Sequence, residues 1–549
     1  MKRERYLMLR MIELENFKCF GQPARARLAP ITLIFGQNSS GKSALLQSLY
    51  LLKQTRSKQT RQSGIKQRSL IFNRPRGYVD LGRFEESIYN HEFDSRRLII
   101  RIDVDTELPL FLARLDFQVV AWFQSLHVKT LGLRLQIGKP PNANDIALLG
   151  FDVFVDDEPE PMASFFLVDD EPDNNPDSKT DLRQFQLSNV SSSPRYWRHD
   201  FEKRHAVAEY YAKAYKDLLN EKGKDDQRTV LYGLYSQFSD RLAAVETVEE
   251  FAPCAVDILV DLSEKVDGNE YFLPGRPSLI RGRLGDSFYE DDLLSSEDSL
   301  SEKVDEYLPV LFCLDCSPVA LGFICASQVD QEVDEFLPLG PSRPEPKRSY
   351  EYSGTFPSDV GRHGEDMPEM LLMAPDLLKK VNFWLDQELD VGYLLEMKES
   401  TNAQFQLLLR DLQRPGANPV SIADVGYGMS QLLPLIVQSL SGEGRIILVE
   451  QPETHIHPAL QARLGTLLSE SAKERHHQFI IETHSEHLIL RLLREIRKGR
   501  LSPCDVSVLY VSRGPQGSSI QEIGIDIDGN FLDEWPKGFF AERLREMID

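Results

Sequence analysis

The sequence predicts an α/β fold with a mixed or parallel sheet core, an antiparallel β subdomain and a large, mainly helical insertion. Three observations predict it. First, the apolar run Ile31-Thr-Leu-Ile-Phe breaks at Gly36. Ser43-Ala-Leu-Leu-Gln-Ser-Leu-Tyr-Leu-Leu follows at helical spacing, so the segment reads as buried strand, loop, helix. Second, far along the chain, Arg445-Ile-Ile-Leu-Val ends in Glu450, and Phe479-Ile-Ile-Glu-Thr-His-Ser is a strand running to His484. Third, β-rich runs at Leu98-Ile-Ile-Arg-Ile-Asp-Val, Leu131-Gly-Leu-Arg-Leu-Gln-Ile, Phe151-Asp-Val-Phe-Val and Ser164-Phe-Phe-Leu-Val are separated by turn formers, the pattern of an antiparallel sheet.

In chain order, residues 1–90 form an N-terminal lobe, opened by the half-buried strand Met11-Ile-Glu-Leu-Glu-Asn-Phe-Lys-Cys-Phe. Residues 91–194 form the β-rich subdomain, in which the phrase V-D-D-E-P occurs twice without making a repeat architecture. Residues 195–335 read as a helical insertion. Its Tyr210, Tyr211 and Tyr215 beside Ala208, Ala212 and Ala214 form a packing stripe, and its acidic Asp286–Asp305 stretch is a solvated face or loop. Residues 336–485 return to short motifs, with Leu372–Leu395 helical and a strand at Ala403-Gln-Phe-Gln-Leu-Leu-Leu-Arg-Asp. Residues 486–549 are expected to be a small C-terminal domain.

Composition excludes several classes. With 549 residues, 41% hydrophobic and 27% charged, the chain is an ordinary multidomain globular protein. The start carries charge without an apolar core, and no run of about 18 apolar residues occurs, so no membrane segment and a cytoplasmic location are expected. Six scattered cysteines do not make a disulfide framework. Cys313-Leu-Asp-Cys316 has the spacing of half a zinc site that Cys325 and Cys254 would have to complete, but buried thiols are the plainer reading. The net charge of -22 opposes non-specific adhesion to nucleic acid, yet Lys53 to Arg76 is basic without a single acid, and Asp152 to Asp181 is crowded with acids.

Gly36-Gln37-Asn38-Ser39-Ser40-Gly41-Lys42-Ser43 fits G-x-x-x-x-G-K-[ST] between a strand and a helix, the context that pattern requires. Its backbone N–H groups converge on phosphate, Lys42 reaches the β- and γ-phosphates, and Ser43 offers a hydroxyl to Mg²⁺. The hard ion needs an oxygen ligand opposite, and Glu450 is the candidate. Asp424-Val-Gly-Tyr-Gly-Met-Ser-Gln places Gly426, Gly428, Ser430 and Gln431 at a helix start, a second anion site. His484 is placed to touch a γ-phosphate, whereas His455, His457 and His487 read as structural.

These phrases resemble the RecF/SMC-type ABC ATPases, and more narrowly a bacterial branch ending in a small domain with a W-P-x-G-F-F phrase. Asn16-Phe-Lys-Cys-Phe, the Gly36–Ser43 loop, Gly340-Pro-Ser-Arg, Val425-Gly-Tyr-Gly-Met-Ser-Gln, Glu450-Gln-Pro-Glu, Glu482-Thr-His-Ser and Trp535-Pro-Lys-Gly-Phe-Phe540 match in order and leave roughly 90–335 uncovered. The resemblance implies an ABC-type ATPase head binding ATP and Mg²⁺. Ser430 and Gly428 of one chain would close over nucleotide held by another, giving a homodimer or higher even oligomer. The branch includes ATPase subunits of Septu-type anti-phage systems, some retron-associated, which operate with an HNH nuclease. It therefore implies a nuclease partner and, in retrons, a reverse transcriptase and non-coding RNA. A Q-loop glutamine has no match; Val79-Asp-Leu-Gly-Arg-Phe lies in the right region without fitting.

Aligned to the usual D-E-P phrase, Gln451 stands where the general base belongs. An amide is a poor proton acceptor, so hydrolysis is expected to be slow, with Glu453 a substitute acting through water. Two other functions compete. A DNA-repair ATPase would grip nucleic acid through Lys53–Arg76, and an overcoming-lysogenization-type nuclease would need a toprim domain, for which too few residues follow His484 and Asp526-Ile-Asp528 alone is weak.

Overall fold

Ile31–Gly36 is buried at every position, and the central sheet is assembled around it. The computed structural model describes residues 8–56, 71–73, 77–93, 95–105, 127–140, 146–156, 158–168, 184–193, 335–401, 404–414 and 416–536, with isolated positions between. Nearly all of the 195–335 insertion, Cys254, Cys313, Cys316, Cys325, most of the Lys53–Arg76 run, the acids from Asp169 to Asp181, and Lys537–Phe540 lie outside the described residues.

The first half contributes strands β1 (Leu9–Glu15), β2 (Ala24–Arg27), β3 (Ile31–Gly36), β4 (Leu98–Asp105), β5 (Thr130–Gly138), β6 (Ala147–Val155), β7 (Ala163–Val168) and β8 (Gln184–Val190), with helices α1 (Lys42–Arg56) and α2 (Phe84–Ser87). The second half contributes β9 (Phe336–Leu339), β10 (Tyr350–Glu351), β11 (Tyr393–Thr401), β12 (Gln404–Asp411), β13 (Val420–Ser421), β14 (Ile446–Glu450), β15 (Gln478–Glu482), β16 (Val506–Gly514) and β17 (Gly517–Glu522). Its helices are α3 (Met367–Met373), α4 (Pro375–Phe383), α5 (Tyr427–Leu440), α6 (Pro458–Glu474) and α7 (Glu486–Arg497). Among the described residues no helix is long and apolar enough to cross a membrane.

The chain divides into two compact units, 1–65 with 70–100 and 331–549, and 66–69 with 101–330. In the first, a six-stranded sheet runs in the order β17-β16-β3-β15-β14-β9. All neighbours are parallel except the β16–β17 hairpin. Parallel strands covered on both faces need apolar side chains throughout, which is why β3, β14 and β15 read as unbroken runs. α5, α6 and α7 bury their apolar stripes in the same core as β3, β14 and β15. A second, antiparallel sheet has β12 between β10 and β11, with β13 added to β12.

The stretch past residue 486 adds strands to the central sheet. β16 lies parallel to β3 inside the central sheet, and Trp535 packs edge-on against Phe35 of β3 at 5.3 Å and Phe531 at 5.1 Å. The helix expected over Leu372–Leu395 ends earlier, and Tyr393 already opens β11.

The second unit holds the antiparallel meander β5-β6-β7-β8, as the alternating runs predict. Its first acidic phrase is partly a turn device: Asp156 Oδ1 accepts from Lys129 N and Thr130 N at 2.7 and 3.0 Å, closing the β5–β6 pair.

Candidate functional site

The loop after β3 curls because its glycines permit it. Gly36 has φ 149° and Gly41 φ 109°, and a Cβ on Gly36 would stand 2.3 Å from the Val511 carbonyl. Ser39, between them, also takes a left-handed φ of 60°. From outside, Ser518 Oγ of β17 donates to Ser40 O of the loop at 2.6 Å, and Ser518 N donates to Cys19 O of the adjoining β1–β2 turn at 2.7 Å. The segment past residue 486 therefore props the phosphate loop directly.

Lys42 opens α1 with its ammonium inside the curl, donating to Gly36 O at 3.0 Å and Gln37 O at 2.9 Å. Burial lowers its pKa below the usual lysine range, opposed by the charges of Glu482 and then Glu453. Beside it lies a cavity of about 600 Å³. Asn38, Ser39, Gly41, Lys42 and Ser43 of the loop line it, with Lys18 and Cys19 from the β1–β2 turn and Gln451 and Glu482 from the far segment. That volume is in the range of small-molecule sites. Lys18, which sequence reasoning left without a role, is a second cation here, its Nζ 2.6 Å from Gln47 Oε1.

β14 and β15 deliver the acids side by side. Glu450 and Glu482 are register partners on parallel strands, so their side chains leave the same face of the sheet. β15 lies between β14 and β3 and carries Glu482 next to the loop strand, paired with Ile34. Glu450 does not line the cavity. Its carboxylate is 4.0 Å from the Arg362 guanidinium and faces the buried Tyr50 hydroxyl. Burial, then the charge of Glu482, push the Glu450 pKa up, while Arg362 pulls it down. Two acids that repel in this way fit a site completed by a cation.

Gln451 sits in the cavity wall with φ 45°, a left-handed value that costs a non-glycine residue about 1 kcal/mol. Its N–H donates to Glu482 O at 2.8 Å, and its own carbonyl accepts from Thr454 Oγ1 at 3.0 Å. Glu453 turns away from open space. Its two oxygens accept from His484 N at 2.6 Å and Thr483 Oγ1 at 2.8 Å, so it ties the turn after β14 to the turn after β15. Burial raises its pKa against those hydrogen bonds. His484 is half-buried, and burial and the nearby Lys42 charge lower its pKa. His457 caps α6 through Nδ1 to Ala459 N at 3.3 Å, the structural role its context suggests.

Gly426, Gly428, Ser430 and Gln431 are not brought to this cavity. Gly426 caps α5, Ser430 and Gln431 are buried in its first turns, and a Cβ on Gly428 would lie 2.8 Å from the His455 carbonyl. Arg348 clamps the approach to this helix with two hydrogen bonds to Asp424 at 2.6 and 2.8 Å. Among the described residues no group of three or more His, Cys, Asp or Glu side chains is placed to hold a metal ion. The two lobes thus converge on one cavity through Lys42, Ser43, Gln451 and Glu482. Glu482 is the residue sequence reasoning passed over, although its signal, an acid closing an apolar strand, matches that of Glu450.

The comparisons with known proteins fall on the same segments. The family described as "AAA ATPase domain" matches residues 8–239, "AAA domain, putative AbiEii toxin, Type IV TA system" matches 331–491, and "Protein of unknown function (DUF3696)" matches 501–549. A search of curated proteins finds no match. Similar solved structures include the Smc head domain with an extended coiled coil bound to the C-terminal domain of ScpA from Pyrococcus furiosus. It is 11% identical, covers 99% of this chain and 100% of that one, and has a TM-score of 0.35. The SMC head domain from Thermotoga maritima is 9% identical over 94% of this chain and 99% of that one, with a TM-score of 0.35. The segments matched by the two ATPase families supply the phosphate loop and the acid-bearing strands of one sheet: the chain carries an AAA-type ATPase domain divided between its two ends.

Proposed function

We propose that this divided ATPase domain binds ATP with Mg²⁺, hydrolyses it slowly and pairs with a second copy around the nucleotide. In this reading occupancy, more than turnover, sets the state of a separate nuclease partner in anti-phage defence. The observation that carries the reading is the meeting of Lys42 and Ser43 with Gln451 and Glu482 in a single cavity. The loop N–H groups and Lys42 bind the phosphates, and Lys18 adds charge. Ser43 would hold Mg²⁺ from the loop, and Glu450, which stands outside the cavity lining against Arg362, would have to turn from that contact to join it; the ion when bound neutralises charge on the phosphates. The amide at Gln451 makes hydrolysis slow, since a positioned base is worth about 10²–10⁴ in rate.

Gly426 and Gly428, exposed and half-buried at the start of α5, stand outside their own chain's cavity and suit contact with nucleotide held by a second copy, with Ser430 buried behind them. The nuclease partner, and with it the Septu-type or retron setting, rests on the resemblance of the motifs alone. Bound ATP at a hundredfold excess over its dissociation constant would stabilise the occupied state by about 2.7 kcal/mol.

Lys42→Ala is expected to weaken ATP binding by about 100-fold, since a charged hydrogen-bonding contact contributes up to about 3 kcal/mol. Gly426→Arg, at an exposed position where a side chain meets nothing within 4 Å, should leave binding intact and abolish ATP-dependent dimers. Isothermal titration and light scattering with and without Mg-ATP read the two effects. Unchanged ATP affinity in Lys42→Ala sinks the nucleotide site, and dimers that persist in Gly426→Arg sink the pairing.

A further inference from the structure

Glu482 is buried to 3% exposure, and its Oε2 has no hydrogen-bond partner. Burying an unpaired carboxylate is costly, so natural chains keep such a group where something else completes it. Its surroundings say what that is. Glu482 lines the cavity together with Lys42, Ser43 and Gln451, and it is the foremost carboxylate acting on the Lys42 charge. Its backbone is fixed on both sides: the N–H of Gln451 binds its carbonyl, and β15 is held between β3 and β14. The neighbouring acids are otherwise engaged. Glu453 has both oxygens bonded to the His484 turn, and Glu450 faces Arg362 and Tyr50.

We propose that Glu482 is the catalytic carboxylate of the residual hydrolysis, orienting the attacking water in the place that Gln451 cannot serve. The inference rests on the ATP reading of this cavity and deepens it. In the step, the water oxygen bonds to the γ-phosphorus while the bond from that phosphorus to the β–γ bridging oxygen breaks, leaving its electron pair on ADP. One water proton passes through Glu482 to solvent, and the other stays on the phosphate. Gln451, beside it in the wall, donates or accepts a hydrogen bond without taking the proton. Slow turnover then follows from a base offset by one strand from the usual place.

The test uses the full-length chain, its Glu482→Gln and Gln451→Glu variants, and the double variant. It reads Mg-ATP affinity by titration, phosphate release under single-turnover conditions, and the Mg²⁺ concentration giving half-maximal release. Glu482→Gln should bind ATP within about threefold of the parent yet lose release by about 100-fold, with no change in Mg²⁺ demand. Gln451→Glu in the Glu482→Gln background should restore release by supplying a carboxylate from the neighbouring turn. Glu482→Gln turning over within about twofold of the parent overturns the assignment. Release rescued by raising Mg²⁺ also overturns it and makes Glu482 a metal ligand. Lost ATP binding in Glu482→Gln, or a parent chain releasing no more phosphate than Lys42→Ala, overturns it as well. Unaltered ATP affinity in Lys42→Ala instead sinks the underlying nucleotide reading.

Discussion

The phosphate loop and the acid-bearing strand ends face one cavity but are finished to different degrees. In the loop the Lys42 ammonium is bonded to two carbonyls, and the Ser40 carbonyl is held from β17; only the Ser40 hydroxyl is buried without a partner. Opposite it, Glu450 is pushed toward protonation, the Glu482 Oε2 lacks a partner, and Gln451 holds a left-handed backbone. The difference teaches where each half's energy comes from. The loop is shaped by the protein alone, whereas the acid side stores desolvation and repulsion that a cation, a water or a phosphate would relieve.

The largest test removes the loop's support from behind. Trp535 stacks edge-on against Phe35, one residue before the loop, and against Tyr510 of the neighbouring strand at 6.4 Å. Trp535→Ala should destabilise the first unit by about 3 kcal/mol, the low end of the usual cost of deleting a large aromatic, because the ring is only partly buried. It should also weaken ATP binding, because β3 then carries the loop without its backing. Thermal unfolding and ATP titration on the same sample check both. A lower melting midpoint with unchanged ATP affinity would break the comparison, since the loop would then keep its shape without that prop.

How much of this was legible follows from range. The phosphate loop could be read because its requirements are local: glycines at forced dihedrals, a buried strand before and an amphipathic helix after. The antiparallel meander of the second unit was legible for the same reason, from alternation and turn formers. Sheet membership of Val506–Gly514 was not, although its run Val-Ser-Val-Leu-Tyr-Val has the unbroken burial of a parallel strand, because nothing local says that β3 is its neighbour. The roles of Glu450 and Glu482 depend on a further nonlocal fact, the strand order that sets β15 between β14 and β3. Along the chain both read as an acid closing an apolar run; only the sheet shows Glu482 beside Lys42. Glu453 likewise resembles a spare base until its two hydrogen bonds across to the His484 turn are seen.

A second test works from the other end of the acid-bearing strands. His477 precedes β15 and is fully buried, and its Nδ1 accepts from Arg445 N at 3.1 Å, fixing the start of β14 against the start of β15. Burial, then the charge of Arg475, depress its pKa to about 4 from the usual 6.5. The unfolded chain therefore binds a proton between those values that the folded chain refuses, and stability rises with pH across that window. The contribution is whole above pH 6.5 and is lost as pH falls toward 4, amounting to about 3 kcal/mol. Melting midpoints from pH 7 down to 4 should fall in the parent, with a flatter profile in His477→Asn, whose amide oxygen stands where Nδ1 did and can still accept from Arg445 N. Equal slopes would show that the strand ends are unfolded by other groups, and that the strain on the acid side does not extend to their origin.

The smallest effect separates the two buried acids that differ most. Glu453 is saturated and Glu482 is not, so the same Glu→Gln change should fall on different properties. In Glu453→Gln one acceptor oxygen is replaced by a donor. Thr483 Oγ1 already accepts from Ser485 N at 3.0 Å, so its hydroxyl proton loses its acceptor, and the variant should be less stable by about 2 kcal/mol. Because the lost bond holds the turn carrying His484 and not the cavity wall, phosphate release per bound ATP should change less than in Glu482→Gln. Unfolding midpoints and single-turnover release on the two variants decide it. If Glu453→Gln keeps its midpoint and loses release, the saturated acid is the working one, the hydrogen bonds seen here break on nucleotide binding, and the contrast between a finished loop and an unfinished acid shelf is reversed at its centre.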